Sequence, residues 1–252
     1  MMQVPIALQL YTVRDETAKD FVGTVKKVAA LGYKGVEFAG FGGLTPQQLA
    51  DLLAETGLKP AGMHISLDQF DANLDKIIQD CKAIGSKFAG VPFLPNDLRS
   101  AQGYRQVAAK LNKYGAALKA EGLSLYYHNH AFEFEKIEGL RGIDILLAET
   151  DPSAVGFEVD VYWVKYGGDN PADFIKTYSG RFPLVHLKDM KGEGDQRTFT
   201  EVGNGNIDFK PIFAAAEAQP LSWYIVEQDT CPGPSIESTK ISIDNLTKWG
   251  KG

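Results

Sequence analysis

Short β-rich apolar runs alternate with longer stretches of helical apolar period, and the pair repeats eight times along the chain. The strand-like runs fall at 5–13, 35–38, 59–65, 87–93, 123–128, 155–161, 184–188 and 223–227. The helical stretches fall at 17–31, 45–56, 67–84, 100–120, 141–148, 171–178, 209–218 and 235–249. Each unit takes ~25–35 residues, which is the repeat of a closed parallel (β/α)8 barrel, an α/β fold. Punctuation agrees with this parse. Thr45-Pro46 is a helix start, with threonine as cap and proline in the first turn. Gly32, Gly57, Gly85 and Gly122 stand where helices should stop. The competing arrangement, an open doubly wound sheet, usually carries a glycine-rich phosphate loop after its first strand, and none is present. No linker or low-complexity tract interrupts the pattern, so residues 1–252 read as one barrel domain. The longest polar stretch, 191–206, reads as a mouth loop or lid after the seventh strand.

Bulk properties exclude several roles. Apolar residues make up 44% of the 252-residue chain, enough for a large core without staples. The net charge of −6 and the scattered cations argue against nucleic acid as a partner. Two cysteines, Cys81 and Cys231, fit neither a zinc pattern nor a disulfide framework. Cys81 falls in an amphipathic helix and reads as a buried thiol. No run approaches a membrane span. Residues 1–12 lack the basic start and cleavage site of an export signal. The expected setting is the cytoplasm, or the periplasm if a signal has been removed. A homo-oligomer is left open.

The chemistry-bearing residues gather at strand ends. The four histidines, His64, His128, His130 and His186, all fall at the ends of the third, fifth and seventh strands. Glu37 ends the second strand, Glu133 lies just past the fifth, Asp160 ends the sixth, and Glu227 ends the eighth with Asp229 two residues on. In a barrel these ends meet at one mouth, where catalysis occurs. Buried carboxylates facing one another need a cation or partners. A mixed oxygen–nitrogen set suits one divalent ion such as Mn, Mg, Co or Zn. The expected ligands are Glu133, Asp160, His186 and Glu227, with His128 or His130 as the replacement for Glu133. For Asp160 the other reading is a helix cap or an ion pair with Lys188. Asp229 is expected to form a salt bridge or loop hydrogen bond.

The segments LQLYTVRD (8–15), GVEFAG (35–40), GMHIS (62–66), YHNHAFEF (127–134), FEVDVYWV (157–164), VHLKDMKG (185–192) and YIVEQD (224–229) resemble the sugar isomerase/epimerase family with a xylose-isomerase-like barrel. The resemblance runs nearly end to end. It implies a metal held by Glu133, Asp160, His186 and Glu227. The HNH variant of the fifth strand resembles a branch that includes lyases and hydratases acting on 3-keto sugars and glycosides.

The expected activity is therefore a divalent-metal-dependent isomerisation or epimerisation of a keto or aldo sugar through an enediolate. The metal polarises the carbonyl, and positioned groups move the α-proton. Glu133 and Glu227 are the expected proton carriers, and His128 or His130 would assist a leaving oxygen in a lyase. Lys188, two residues after His186, shares its face of the strand and is placed to bind an oxyanion, or else to pair with Glu158 or Asp160. Gln9, Glu37 and His64 are candidate hydroxyl binders. Tyr11, Trp163, Phe38 and Phe93 are candidate platforms for a sugar face. The partner expected is a small sugar. The rival functions are a lyase or hydratase on the same scaffold, a repair nuclease on a related barrel, and a sugar-binding protein without turnover. The low histidine count and the negative charge weigh against the nuclease.

Overall fold

The computed structural model describes residues 3–251; Met1, Met2 and Gly252, which the sequence reading included in the domain, lie outside the described residues. Eight parallel strands form one sheet: β1 (Ile6–Gln9), β2 (Gly35–Phe38), β3 (Lys59–Met63), β4 (Phe88–Val91), β5 (Ser124–His128), β6 (Val155–Asp160), β7 (Leu184–Leu187) and β8 (Trp223–Val226). Each strand pairs with its sequence neighbour, and β1 pairs with β8. The ring closes between β3 and β4 through a parallel bridge at His64 and Gly90, where Ile65 N–H donates to Gly90 C=O at 2.9 Å. The fold is the (β/α)8 barrel that the alternation predicts.

Helix boundaries follow their caps. Thr45 and Gln48 form a capping box at Pro46–Thr56, Ser66 caps Leu67–Ile84, and Ser100 caps Ala101–Ala120. The structure departs from the sequence reading in four places. β1 stops at Gln9 rather than continuing to 13, because Leu10–Val13 turns into a 3-10 helix. The first helix is split into Arg14–Thr17 and Phe21–Ala30, because the Asp20 side chain accepts from Gly23 N–H and starts a new helix. An additional helix, Val161–Tyr166, begins directly at the end of β6, capped by Asp160. Finally, 191–206 is not a plain loop. Asp189–Lys191 and Thr198–Thr200 pair as an antiparallel hairpin. No helix among the described residues is long and apolar enough to cross a membrane. Cys81 is buried and free, as expected.

Strand alternation divides the apolar residues between two cores. Outward-facing side chains pack under the helices. Inward-facing Ala7, Ala61, Phe88, Tyr126, Leu184 and Ile225 form a separate plug inside the barrel, with Trp223 against it. Tyr126 fits only because its neighbours are small. A Cβ on Gly90 would lie 2.3 Å from the Tyr126 ring, and one on Gly62 would lie 2.7 Å from both the Tyr126 hydroxyl and Glu37 Oε1. The phenol therefore reaches up through the barrel to the polar layer above the plug.

Candidate active site

One step further along each strand, the same alternation turns polar side chains into the barrel. Gln9, Glu37, His128, Glu158, Asp160 and His186 all lie on the inward face and are buried. His64, Lys188 and Glu227 follow directly on β3, β7 and β8, and the two latter are buried as well.

His186 is the hub. Its Nε2 lies 2.8 Å from Glu37 Oε2 and 3.0 Å from Glu158 Oε2. Its Nδ1 lies 3.1 Å from Glu227 Oε2 and 3.9 Å from Asp160 Oδ2. Two groups able to hold a metal therefore share this ring. The lower comprises Glu37, His64, Glu158 and His186; the upper comprises His128, Asp160, His186 and Glu227. In each, the ligand atoms lie within 4.8 Å of one another. Burial opposes a charged imidazole at His186, but Glu158, Glu227 and Glu37 outweigh it and raise its pKa well above the ordinary value. His64 is raised likewise by Glu37 and Glu158 against the cost of burial.

Lys188 bridges the upper group. Its Nζ lies 2.8 Å from Glu227 Oε2, 3.0 Å from Asp160 Oδ2 and 3.0 Å from Asp229 Oδ1. Burial disfavours the ammonium, yet these three carboxylates raise its pKa well above the ordinary value. Burial pushes Glu227 up, but Lys188 and His186 prevail and hold its carboxyl well below the usual range. Asp160 divides its two oxygens. Oδ1 accepts from Tyr162 and Trp163 N–H as the helix cap, and Oδ2 faces His128 and Lys188. Its two sequence readings, cap and ion pair with Lys188, thus hold together.

Glu133 does not reach this cluster. The 3-10 turn Phe132–Phe134 carries it to the outer side of the wall, where it accepts from the Tyr127 hydroxyl at 2.6 Å and from His130 N–H at 2.8 Å. Tyr127 faces outward because its neighbours Tyr126 and His128 face inward. Burial lifts the Glu133 carboxyl to about 8. His128, the weighed replacement, stands in the upper group instead.

The upper group lies at the foot of a cleft of about 590 Å³, lined among others by Tyr11, His64, Phe93, His128, His130 and Glu227. Tyr11 and Phe93 are exposed at its rim, and each has an arginine over its ring, Arg14 at 4.1 Å and Arg99 at 4.7 Å. Phe38, by contrast, is buried in the outer core, and Trp163 packs against His130 and faces Lys188 at 5.3 Å. Burial, with His128 and Lys188 nearby, lowers His130 well below the ordinary imidazole value, and its Nδ1 has no partner among the described residues. Gln9 and Glu37 are not at the cleft surface. Gln9 Nε2 donates to Glu37 Oε2 at 2.6 Å and meets His64 Nδ1 at 3.2 Å below it. A slightly larger cavity of about 660 Å³, lined by Phe209, Phe213 and Trp249, includes none of these residues.

Arg14 was not placed by sequence reasoning, and Glu158 was weighed only as a partner of Lys188; it pairs instead with His64 and His186. Glu158 was legible: it lies two residues before Asp160 and shares its inward face. Arg14 came from a turn that periodicity could not show. Its guanidinium donates to Asp229 C=O at 2.7 Å across the rim.

The donor chemistry fits a metal. Two imidazoles and two carboxylates converge in the upper group, and mixed sets of this kind suit first-row divalent ions.

Comparison with known proteins places the chain among barrels of the same fold. An inosose dehydratase of Clostridium botulinum (strain Alaska E43 / Type E3) is 31% identical over 142 residues, covering 50% of this chain and 47% of that relative. Matches of this kind span only about half the length of the curated relatives. A solved sugar phosphate isomerase/epimerase from Parabacteroides distasonis ATCC 8503 superposes with a TM-score of 0.84 at 22% identity, over 98% of this chain and 94% of that one. A structure described as IOLI protein with a binding zinc atom superposes with a TM-score of 0.76 at 12% identity, over 97% of both chains. Residues 25–249 match the family described as xylose isomerase-like TIM barrel, and the chain belongs to that family.

Proposed function

We propose that the chain is a divalent-metal-dependent isomerase or epimerase of a small keto or aldo sugar. The reading rests on one observation: a buried ring of His128, Asp160, His186 and Glu227, with Lys188 on two of its carboxylates, at the foot of an open cleft. These four residues would hold the ion, with Mn, Mg, Co and Zn all compatible with the donor set. Bound there, it would act as a Lewis acid on a substrate carbonyl and make the adjacent C–H acidic.

The chain's own groups supply the rest. Lys188 is a fixed cation in a water-poor site, suited to donate to an oxygen that gains charge. Glu227, kept ionised, faces the cleft from the β8 side and can take a proton. His130, kept neutral, faces it from the β5 side and can exchange a proton with a neighbouring hydroxyl or carbon. Tyr11 and Phe93 offer apolar surface at the rim to a sugar ring. Glu133 has no part in this scheme, because it lies behind the wall.

The inosose dehydratase relatives favour a second reading, in which removal of the same α-proton is followed by loss of the β-hydroxyl. Incubation of the Mn²⁺-loaded protein with keto and aldo sugars in D₂O tests both. Deuterium uptake with an isomeric or epimeric product supports the first reading. Deuterium-independent appearance of an unsaturated product replaces it with the second. Neither product from any sugar, with metal bound, overturns both.

A further inference from the structure

The two donor groups around His186 differ in a way that separates their tasks. The lower group is tied down by the protein at every carboxylate oxygen but one, Glu158 Oε1, which is buried without a partner among the described residues. Glu37 Oε1 accepts from the Tyr126 hydroxyl, and its Oε2 accepts from Gln9 Nε2 at 2.6 Å while facing His186 Nε2 at 2.8 Å. Glu158 Oε2 meets His64 Nε2 at 2.9 Å and His186 Nε2 at 3.0 Å. Both glutamates are wholly buried, and neither lines the cleft. The upper group differs in opening onto the cleft. Asp160 Oδ2 and Glu227 Oε2 face the Lys188 ammonium, and two of its members, His128 and Glu227, line the cleft.

We infer that Glu37 and Glu158 are positioning residues that accept the hydrogen bond of His186 Nε2–H, and so turn its Nδ1 lone pair towards His128, Asp160 and Glu227. This inference rests on the metal reading given above. An imidazole ligand offers one nitrogen to the metal, and the hydrogen bond at the other selects the tautomer, fixes the ring and raises its basicity. Here the partners of the second nitrogen come from β2 and β6, on either side of the barrel, so the ring is held between them. His64 and Gln9 complete the support. Gln9 donates to Glu37 and meets His64 Nδ1 at 3.2 Å, and His64 Nε2 in turn reaches Glu158. Tyr126 props Glu37 from below, in the space that Gly62 and Gly90 leave open. The lower group is on this view a frame for one ligand, rather than a second ion site.

Two measurements test this without relying on turnover. In the first, Zn²⁺ and Mn²⁺ are titrated into the wild type and into Glu37→Gln and Glu158→Gln. One ion per chain is expected in all three, with affinity weakened roughly ten- to a hundredfold in the variants. Two ions in the wild type and one in either variant would overturn the inference, because the lower group would then bind metal itself. One ion with unchanged affinity in both variants would overturn it too, and would leave the metal reading intact. No ion in the wild type would remove both. The second measurement needs no variant. Long-range ¹H–¹⁵N spectra of zinc-loaded, histidine-labelled wild type should show His186 with its proton on Nε2. A proton on Nδ1 would overturn the inference.

Discussion

The Lys188 ammonium lies 2.8 Å from Glu227 Oε2, and both side chains are buried. An ion pair removed from water is retained only if its members satisfy one another and their neighbours, and the loss of one partner leaves an uncompensated charge. Asp160 and Asp229 depend on the same ammonium.

Lys188→Met is therefore expected to destabilise the metal-free protein by about 3–5 kcal/mol. A divalent ion bound to the upper group would replace part of the missing positive charge. Thermal unfolding with and without Mn²⁺ checks this. The deficit should shrink on metal addition, and an equal deficit in both conditions would contradict the shared-cation picture. Turnover should fall by roughly 10²–10³ with metal present, as for loss of an oxyanion donor.

Glu227→Gln keeps the shape of the side chain but removes its charge. Turnover should be lost and metal affinity should fall, while the circular dichroism spectrum stays that of the wild type. In the wild type, EDTA should abolish activity and excess Mn²⁺ should restore it. Full activity of the variant, or of the chelated protein, would remove Glu227 and the metal from the mechanism.

Glu133 should make its presence felt through pH. Burial pushes its carboxyl up to about 8 in the folded chain, from an ordinary value of 4.5. Between these values the native state keeps a proton that the unfolded chain has released. Stability from this residue is thus complete below pH 4.5 and is lost as pH rises to about 8, at roughly 1.4 kcal/mol for each pH unit. Glu133→Gln removes the dependence, since the amide oxygen can still accept from His130 N–H and Tyr127 can reverse its hydroxyl. Urea unfolding should find the variant more stable than the wild type at pH 8 and equal to it near pH 4.5. A wild-type advantage at pH 8 would show that Glu133 is ionised in the fold.

Asp189 organises the segment after β7. Its Oδ1 accepts from Met190 N–H at 2.7 Å and Ile207 N–H at 3.2 Å, and its Oδ2 from Gly203 and Gly205 N–H, both at 2.9 Å. Gly205 can approach this closely only without a side chain, since a Cβ there would lie 2.3 Å from Asp189 Oδ1. Asp189→Ala strands four donors and should cost about 1–3 kcal/mol for the buried ones. Thermolysin should then cut within 192–206 faster than in the wild type. Unchanged cleavage would mean that the hairpin pairing alone orders the segment.

The eightfold alternation and the helix caps made the barrel legible, because strand and helix periods are local properties of the chain. The positions of Asp160, His186, Lys188 and Glu227 followed from period two within single strands. Glu158 was equally readable from its place two residues before Asp160. Glu133 was not. Its distance along the chain from the end of β5 suits a mouth residue, but a 3-10 turn and the outward Tyr127 hydroxyl draw it behind the wall.

Asp229, expected from the sequence to make a salt bridge or a loop hydrogen bond but with no partner assigned, shows where the boundary lies. The residues of a strand face in or out by alternation, so the sequence alone determined that acids and imidazoles would line one mouth. Which of them meet depends on the closure of the ring and on the loops beyond the strands. Only the tertiary structure decided that Asp229 joins Lys188, that His128 stands where Glu133 was expected, and that His186 is shared between two sets of carboxylates. The physical reason is that burial permits these charges only as a mutually compensated set, and that set is drawn from strands far apart in the chain.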